Sequence, residues 1–414
     1  MASANALLRS FKGIASAVAL TVFVVFMPSG HTTSDDWRRD NHKDQLWIGT
    51  WAAGPQAAGF TPIAVTGFTN QTLRQIVFTS LGADTIRIRL TNEFGANPLN
   101  IGAAQVAIAA PNGSIEVGSG RVLTFGGQSS VTIVPNAYVV SDPVQLDVPA
   151  TSELAVDIYL PGSTGPVTWH RAGPQTTYIS QAGNHVGADA LPTASTTQSY
   201  FFLKSIEVQS ARDAGGVVVT LGDSITDGVG ATPGANNRYP DYLARLLAGS
   251  HGRRRMGVLN QGIAANFLLL NISSGGQNAQ ARFDRDVLSQ PGVTHLIVLI
   301  GTNDLFSGAV PDRIIAGHQQ LIVRAQAAGL RVYGGTLIPT GFAGTIETNR
   351  QAMNDWIRTS GAYDAVIDFD AAVRDPSNPL FILPAYNSGD NIHPNDAGYE
   401  AMARAAYDVL HREK

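Results

Sequence analysis

Val217-Val218-Val219-Thr220-Leu221-Gly222-Asp223-Ser224-Ile225-Thr226-Asp227-Gly228 is the stretch on which the fold turns. It opens as a short apolar, β-branched run without alternation, the pattern of a parallel strand buried on both faces. The run stops at Gly222 and hands over to a serine flanked by two acids, which places Ser224 at the C-terminal edge of a sheet. Open α/β sheets do their chemistry at that edge, so Ser224 is the first candidate nucleophile in the chain. Gly-Asp-Ser is also ordinary turn chemistry, and the run alone does not separate the two readings.

Downstream of residue 211, strands alternate with helices. Residues 239–248 place Tyr242, Leu243, Leu246 and Leu247 at helical spacing. A short strand at 257–260 and a helix at 279–288 follow. The continuous apolar run at 295–300 reads as a central buried strand. A helix at 311–328 opens on proline and closes before Gly329. The pattern continues with a strand at 331–337, a helix at 348–360, a strand at 365–369 and a last helix at 395–411. Such alternation predicts an α/β, parallel, doubly wound domain over 211–414.

Upstream the texture differs. Ile86-Arg87-Ile88-Arg89-Leu90 alternates strictly, as a half-buried antiparallel strand does. Similar runs recur at 73–78, 105–109, 131–134, 144–148, 154–160, 176–179 and 200–208, separated by turn signals such as Pro111-Asn112-Gly113 and Gly126-Gly127. Many short strands and no convincing amphipathic helix predict an all-β sandwich or jelly-roll accessory domain over 46–210. Residues 31–45 are polar and aperiodic, and read as a linker.

Composition narrows the function classes. Charged residues make up 14% and the net charge is -4, which gives no electrostatic footprint for nucleic acid. Arg253-Arg254-Arg255 is the only dense basic cluster and reads as a solvated loop. The chain has no cysteine, which removes disulfides, thiolate metal sites and cysteine nucleophiles together. No Asp-rich loop points to calcium, and no metal or cofactor is implied. Arg9 and Lys12 precede an apolar stretch at 14–27 that breaks at Pro28-Ser29-Gly30, so residues 1–30 read as an export signal of a secreted or periplasmic protein. An uncleaved membrane anchor is the alternative, because no A-x-A site follows. After cleavage no stable membrane span is expected, and oligomeric state is not legible.

Ser224 needs a base, an acid to orient that base, and donors aimed at the developing oxyanion. Three further strand ends or loops offer them: Asn260-Gln261-Gly262, Gly301-Thr302-Asn303-Asp304, and Asp390-Asn391-Ile392-His393. His393 can serve as the base and Asp390, three residues earlier, can orient it. The backbone N–H groups of Ser224 and Gly262 and the Asn303 amide are candidate donors. Each element alone reads as a cap or a turn; their joint occurrence around one sheet edge is harder to ascribe to turn chemistry.

The set Gly222-Asp223-Ser224 with Gly228, then Gly262, then Gly301 with Asn303, then Asp390 with His393, resembles the four sequence blocks of the SGNH, or GDSL-type, hydrolases. Ile225 stands where the family's common name has leucine. The resemblance implies a flavodoxin-like three-layer α/β/α fold with five parallel strands. It further implies Ser224 as nucleophile, His393 as general base, Asp390 as its partner, and Ser224, Gly262 and Asn303 as the oxyanion hole. Trp51, Thr72-Leu73-Arg74-Gln75 and Ser141-Asp142-Pro143 look like the β-sandwich region found ahead of this hydrolase in some secreted bacterial members. An α/β-hydrolase elbow does not fit, since residue 226 is threonine and the acid and histidine lie three apart.

The expected activity is metal-independent hydrolysis of carboxylic esters, whether a small acyl ester, a lipid or an acetylated carbohydrate. An acyltransferase or thioesterase would use the same residues, and a carbohydrate-binding protein with a vestigial hydrolase domain is the alternative from another class. Asp223 and Asp227 read as capping or turn residues, and Asp304 as a brace for the Asn303 loop. Trp169-His170, His185, His251, His295, His318 and His411 read as core or surface residues.

Overall fold

The computed structural model describes residues 46–210, 215–249 and 255–412. The expected export segment and linker, with His251, Arg253 and Arg254, lie outside the described residues. The described residues belong to one compact unit.

Region 46–210 is strand-rich and its pairings are antiparallel. Leu46–Ala52, Leu203–Ser210, Ala83–Thr91 and Tyr138–Val140 lie side by side, and Val144–Val148 also pairs with Ala83–Thr91. A second sheet runs Thr193–Thr197, Thr177–Ala182, Gln71–Phe78, Glu153–Leu160, Ala103–Ala110 and Ser114–Ile115. Ile86, Ile88 and Leu90 are fully buried on one face, as their alternation requires. The opposite face is not open to water: Arg87 donates to Glu207 at 2.7 Å and stacks 4.2 Å over the Trp47 ring. Two details depart from the sequence expectation. The run at 200–208 breaks at Phe202, whose φ is 56°, and a short helix forms at Pro62–Thr66.

The α/β region is built on five parallel strands: β1 (Val217–Gly222), β2 (Gly257–Gly262), β3 (Val293–Leu299), β4 (Arg331–Gly335) and β5 (Ala365–Ile367). Their order is β2-β1-β3-β4-β5, the flavodoxin order. Its helices are α1 (Ser224–Asp227), α2 (Tyr239–Ala248), α3 (Ala279–Phe283), α4 (Thr302–Phe306), α5 (Pro311–Ala327), α6 (Thr345–Thr359), α7 (Phe369–Val373) and α8 (Asp396–Arg412). The expected helix at 279–288 is helical throughout, but its second half, Asp284–Leu288, winds as a π-turn.

Right-handed crossovers fix where these helices go. The step from β1 to β2 runs outward and carries α2 to one face. The steps from β2 to β3, β3 to β4 and β4 to β5 run the other way and carry α3, α5 and α6 to the opposite face. In agreement, α2 packs on α8, while α5 packs on α6 and α3. The direction reverses at the boundary of β1 and β3, so the crevice of the sheet opens at the C-terminal end of β1, where Ser224 lies.

The two regions share a core. Ile48, Trp51 and Leu81 fall in the same buried apolar cluster as Val217, Val258 and Leu259. Strand Leu46–Ala52 lies against β2 so closely that a Cβ on Gly49 would sit 2.7 Å from a Leu259 methyl. The Gly49 N–H donates to Pro291 O, and the Val258 N–H to Ser80 Oγ, each at 2.9 Å.

His318 of α5 shows how this core handles a titratable group. It is fully buried; its Nε2 donates to Ile300 O at 3.0 Å and its Nδ1 lies 2.5 Å from the Tyr363 hydroxyl, which donates to it when the ring is neutral. Burial pushes the ring down to about 4 from its ordinary 6.5. The unfolded chain therefore takes up a proton that the folded protein refuses, and stability falls as pH drops through this window. We expect the stability margin of the wild type over His318→Gln to shrink by about 3 kcal/mol between about pH 7 and about pH 4. Urea unfolding of both proteins across that range checks it, and a constant margin would exclude a neutral buried ring.

Candidate active site

Strand β1 is buried along its whole length because β2 and β3 flank it on both edges and helices cover both faces. It ends at Gly222 for a steric reason: a Cβ there would lie 2.0 Å from Thr226 Oγ1 and 2.6 Å from Leu299 O. The chain then turns at once into the one-turn helix α1. Asp223 is its N-cap and accepts the Ile225 N–H at 3.0 Å. Gly228, at φ 103°, closes the turn with its N–H on Ser224 O. Ser224 is thereby held half-buried on a sharp corner at the mouth of the crevice.

The structure brings Asp390 and His393 to this corner across 169 residues of chain. Helix α8 docks on the loop after α1: Asp396 accepts the Thr232 N–H and the Asn237 amide, each at 2.8 Å, and the Tyr399 hydroxyl donates to Val229 O at 2.6 Å. The loop before α8 therefore lies over Ser224. His393 Nε2 is 2.8 Å from Ser224 Oγ, and His393 Nδ1 is 2.6 Å from Asp390 Oδ2. The other Asp390 oxygen accepts the N–H groups of His393 and Ile392, which fixes the carboxylate to the backbone of the residue it orients. Partial burial pushes the Asp390 carboxyl up, but the bonds from His393 and Ile392 outweigh it and hold the group at about 2.

The donor side differs from the sequence reading at one position. The Gly262 N–H is already donated to Asn260 Oδ1 at 2.8 Å, so it is not free to meet an oxyanion. Gly262 is glycine for packing: a Cβ would fall 2.2 Å from Asp227 N, where the end of β2 meets α1. Of the N–H groups at 262–266, the one left over belongs to Ala265. Ile263, Ala264 and Asn266 donate to Gly222 O, Asp227 Oδ2 and Ile263 O, whereas the Ala265 N–H has no acceptor among the described residues. Ala265 also sits at φ 63°, in the left-handed region that a residue with a Cβ rarely adopts. No sequence signal marks it, because glycine or asparagine is the usual sign of that conformation.

The Ser224 N–H likewise has no acceptor among the described residues. Asn303 stands on α4, capped by Gly301 at φ 124°. Its Nδ2 donates one hydrogen to Asn266 O at 2.8 Å and keeps the second. Asp304 braces the neighbouring loop, accepting the N–H groups of Leu268 and Leu269 at 2.8 and 3.0 Å. Among the described residues, no group of three His, Asp or Glu side chains gathers where a metal ion would be held.

Asp223, the acid next to the serine, faces inward. Burial pushes its carboxyl up to about 7, and its hydrogen bond goes to the α1 backbone. The arrangement as a whole presents a hydroxyl whose proton has an imidazole acceptor, an imidazole whose other nitrogen is held by a carboxylate, and free N–H donors nearby. Such a set is chemically equipped for acyl transfer through a serine.

The model of the GDSL-like Lipase/Acylhydrolase family matches residues 220–401. No curated relative matches the chain. Among solved structures, an acetylxylan esterase from Geobacillus stearothermophilus is 21% identical with a TM-score of 0.39, the alignment covering 48% of this chain and 96% of that one. An alpha/beta hydrolase enzyme from the metagenome of Lake Arreo, Spain, is 21% identical with a TM-score of 0.38, over 48% and 96% of the two chains. A GDSL-like lipase from Bacteroides thetaiotaomicron VPI-5482 is 17% identical with a TM-score of 0.36, over 48% and 89%. The segment 220–401, which carries Ser224, Asn303, Asp390 and His393, belongs to the GDSL-like lipase/acylhydrolase family.

Proposed function

We propose that the protein is an exported serine esterase that cleaves carboxylic esters through an acyl-enzyme. The observation that carries this reading is the unbroken relay from Ser224 Oγ to His393 Nε2, and from His393 Nδ1 to Asp390 Oδ2, at 2.8 and 2.6 Å. His393 takes the serine proton as Ser224 Oγ attacks the ester carbonyl, and the carbonyl oxygen becomes an oxyanion. The N–H groups of Ser224 and Ala265 and the second hydrogen of the Asn303 amide supply its donors. Collapse expels the alcohol, which takes the proton back from His393. Water then repeats the sequence on the acyl-enzyme and releases the acid.

The 46–210 region reads as a β-sandwich that forms part of the rim of this site. Short acyl esters, lipids and acetylated carbohydrates all fit the chemistry. Turnover of p-nitrophenyl esters of increasing chain length, beside acetylated xylan and a phospholipid, selects among them.

Three substitutions test the reading. Ser224→Ala should abolish turnover of p-nitrophenyl acetate and labelling by a fluorophosphonate probe; wild-type activity in that variant would overturn the assignment. Asn303→Ala should lower kcat by roughly 10²- to 10³-fold with a smaller change in KM, as the loss of a donor realised only in the transition state does.

Asp390→Asn should cost less than the roughly 10⁴-fold seen for a buried triad aspartate. The Asp390 side chain is 47% exposed, and water screens its charge, so its main service is to orient the ring. A loss on the order of 10²-fold in kcat is expected on that ground. Steady-state kinetics of the purified variant reads it, and an undiminished kcat would remove Asp390 from the relay.

A further inference from the structure

The strand-rich region places His170 against Asp227, on the helix that carries the serine. His170 closes strand Thr168–His170 and is almost wholly buried. Its Nδ1 lies 3.0 Å from Gly54 O, and its Nε2 lies 3.0 Å from Asp227 Oδ1. A carbonyl and a carboxylate can only accept, so both ring nitrogens donate and the ring is an imidazolium. Burial opposes that charge, but the Asp227 carboxylate outweighs it and raises the ring above its ordinary value, while Arg238 nearby works the other way. Tyr200 packs against the ring with centroids 6.1 Å apart.

Asp227 is the last residue of α1, one turn beyond Ser224. Its second oxygen accepts the Ala264 N–H at 2.7 Å. One buried carboxylate thus joins three parts: the helix that carries the nucleophile, the histidine of the strand-rich region, and the loop whose next N–H, that of Ala265, has no acceptor among the described residues. Arg171, beside His170, holds the far side of the same loop, donating to Ser274 O at 3.0 Å and to Ala264 O at 3.4 Å.

We propose that His170 is a positioning residue for the esterase site: acting through Asp227, it fixes Ala264 and so sets the direction of the Ala265 N–H relative to Ser224. In this view region 46–210 completes the oxyanion side of the site. The chemistry explains why an imidazolium stands there. Asp227 receives a donor on each oxygen, so its orientation is determined by both partners at once. Without His170 one oxygen of a buried carboxylate loses its partner, and the cheapest relief is rotation of the side chain, which releases Ala264. A displacement of about 1 Å at a group that meets the transition state is enough to cost on the order of 10²-fold in rate.

The inference rests on ester hydrolysis at Ser224, and the test separates the two. Wild-type turnover of p-nitrophenyl acetate is measured first; its absence overturns the functional reading and this inference with it. His170→Gln and His170→Asn are then compared. The glutamine amide reaches the place of Nε2 and keeps the bond to Asp227, whereas the asparagine amide reaches only the place of Nδ1 and Gly54.

The glutamine variant should keep kcat within about 3-fold of wild type, and the asparagine variant should lose roughly 10- to 100-fold in kcat with KM within about 3-fold. Equal kcat in the two variants, or a loss carried by KM, overturns the inference while leaving the esterase reading in place. Near-UV circular dichroism and Tm report folding. Loss of the fold in both variants also overturns it, because the pair would then serve the fold and not the site.

Discussion

A single buried guanidinium ties the candidate site together. Arg282, on α3, has no exposed surface. Its Nη2 donates to Gly222 O at 2.9 Å, its Nη1 to Gln261 O at 2.8 Å, and its Nε to Asn266 Oδ1 at 3.1 Å, while Asp286 neutralises it. Those acceptors are the last residue of β1, the penultimate residue of β2 and the loop that Asn303 grips. A planar fork with fixed N–H directions sets their spacing in a way a flexible lysine would not. The cost of burying the charge is met by the Asp286 pair, which Arg285 also joins at 2.6 Å. Removing one partner of such a buried pair costs on the order of 3–5 kcal/mol, far more than an exposed ion pair contributes.

Much of this was legible in the residues. The unalternated run 217–221 had to be paired on both edges, and it is. Helix 239–248 matches its expected bounds because proline lies in its first turn and Asp241 closes a capping box on Arg238. What escaped were the one-turn helices α1, α4 and α7, which are too short to carry a hydrophobic period. Arg282 escaped too: periodicity identifies apolar faces, and a buried arginine is defined only by carbonyls that distant strands bring to it.

Ala265 and Gly262 mark the limit of reading a loop by residue type. Both lie in the segment that follows β2, and glycine is the obvious candidate for a backbone donor. Yet Gly262 has a negative φ and an engaged N–H, and its missing side chain makes room for α1. The position that takes the left-handed conformation carries a methyl group instead. The strain of about 1 kcal/mol that this costs is borne by bonds on either side, from Ala264 to Asp227 and from Asn266 to Ile263. The first of those bonds depends in turn on a histidine from the other region of the chain.

The division of labour between the acids follows from solvent rather than from sequence distance. Asp223 adjoins the serine, but its site is dry, its carboxyl is pushed up to about 7, and its oxygen is committed to the Ile225 N–H. A carboxyl half-neutral near pH 7 is a poor stabiliser of an imidazolium. Asp390 is distant in sequence and half-exposed, and the N–H groups that converge on it keep it ionised down to about pH 2. Burial raises the Asp390 carboxyl too, but here the bonds from His393 and Ile392 outweigh it, whereas at Asp223 burial prevails. Orientation then has to come from geometry. The turn in which one Asp390 oxygen holds the His393 backbone while the other holds the His393 ring supplies it, leaving the imidazole little freedom to turn away from Ser224.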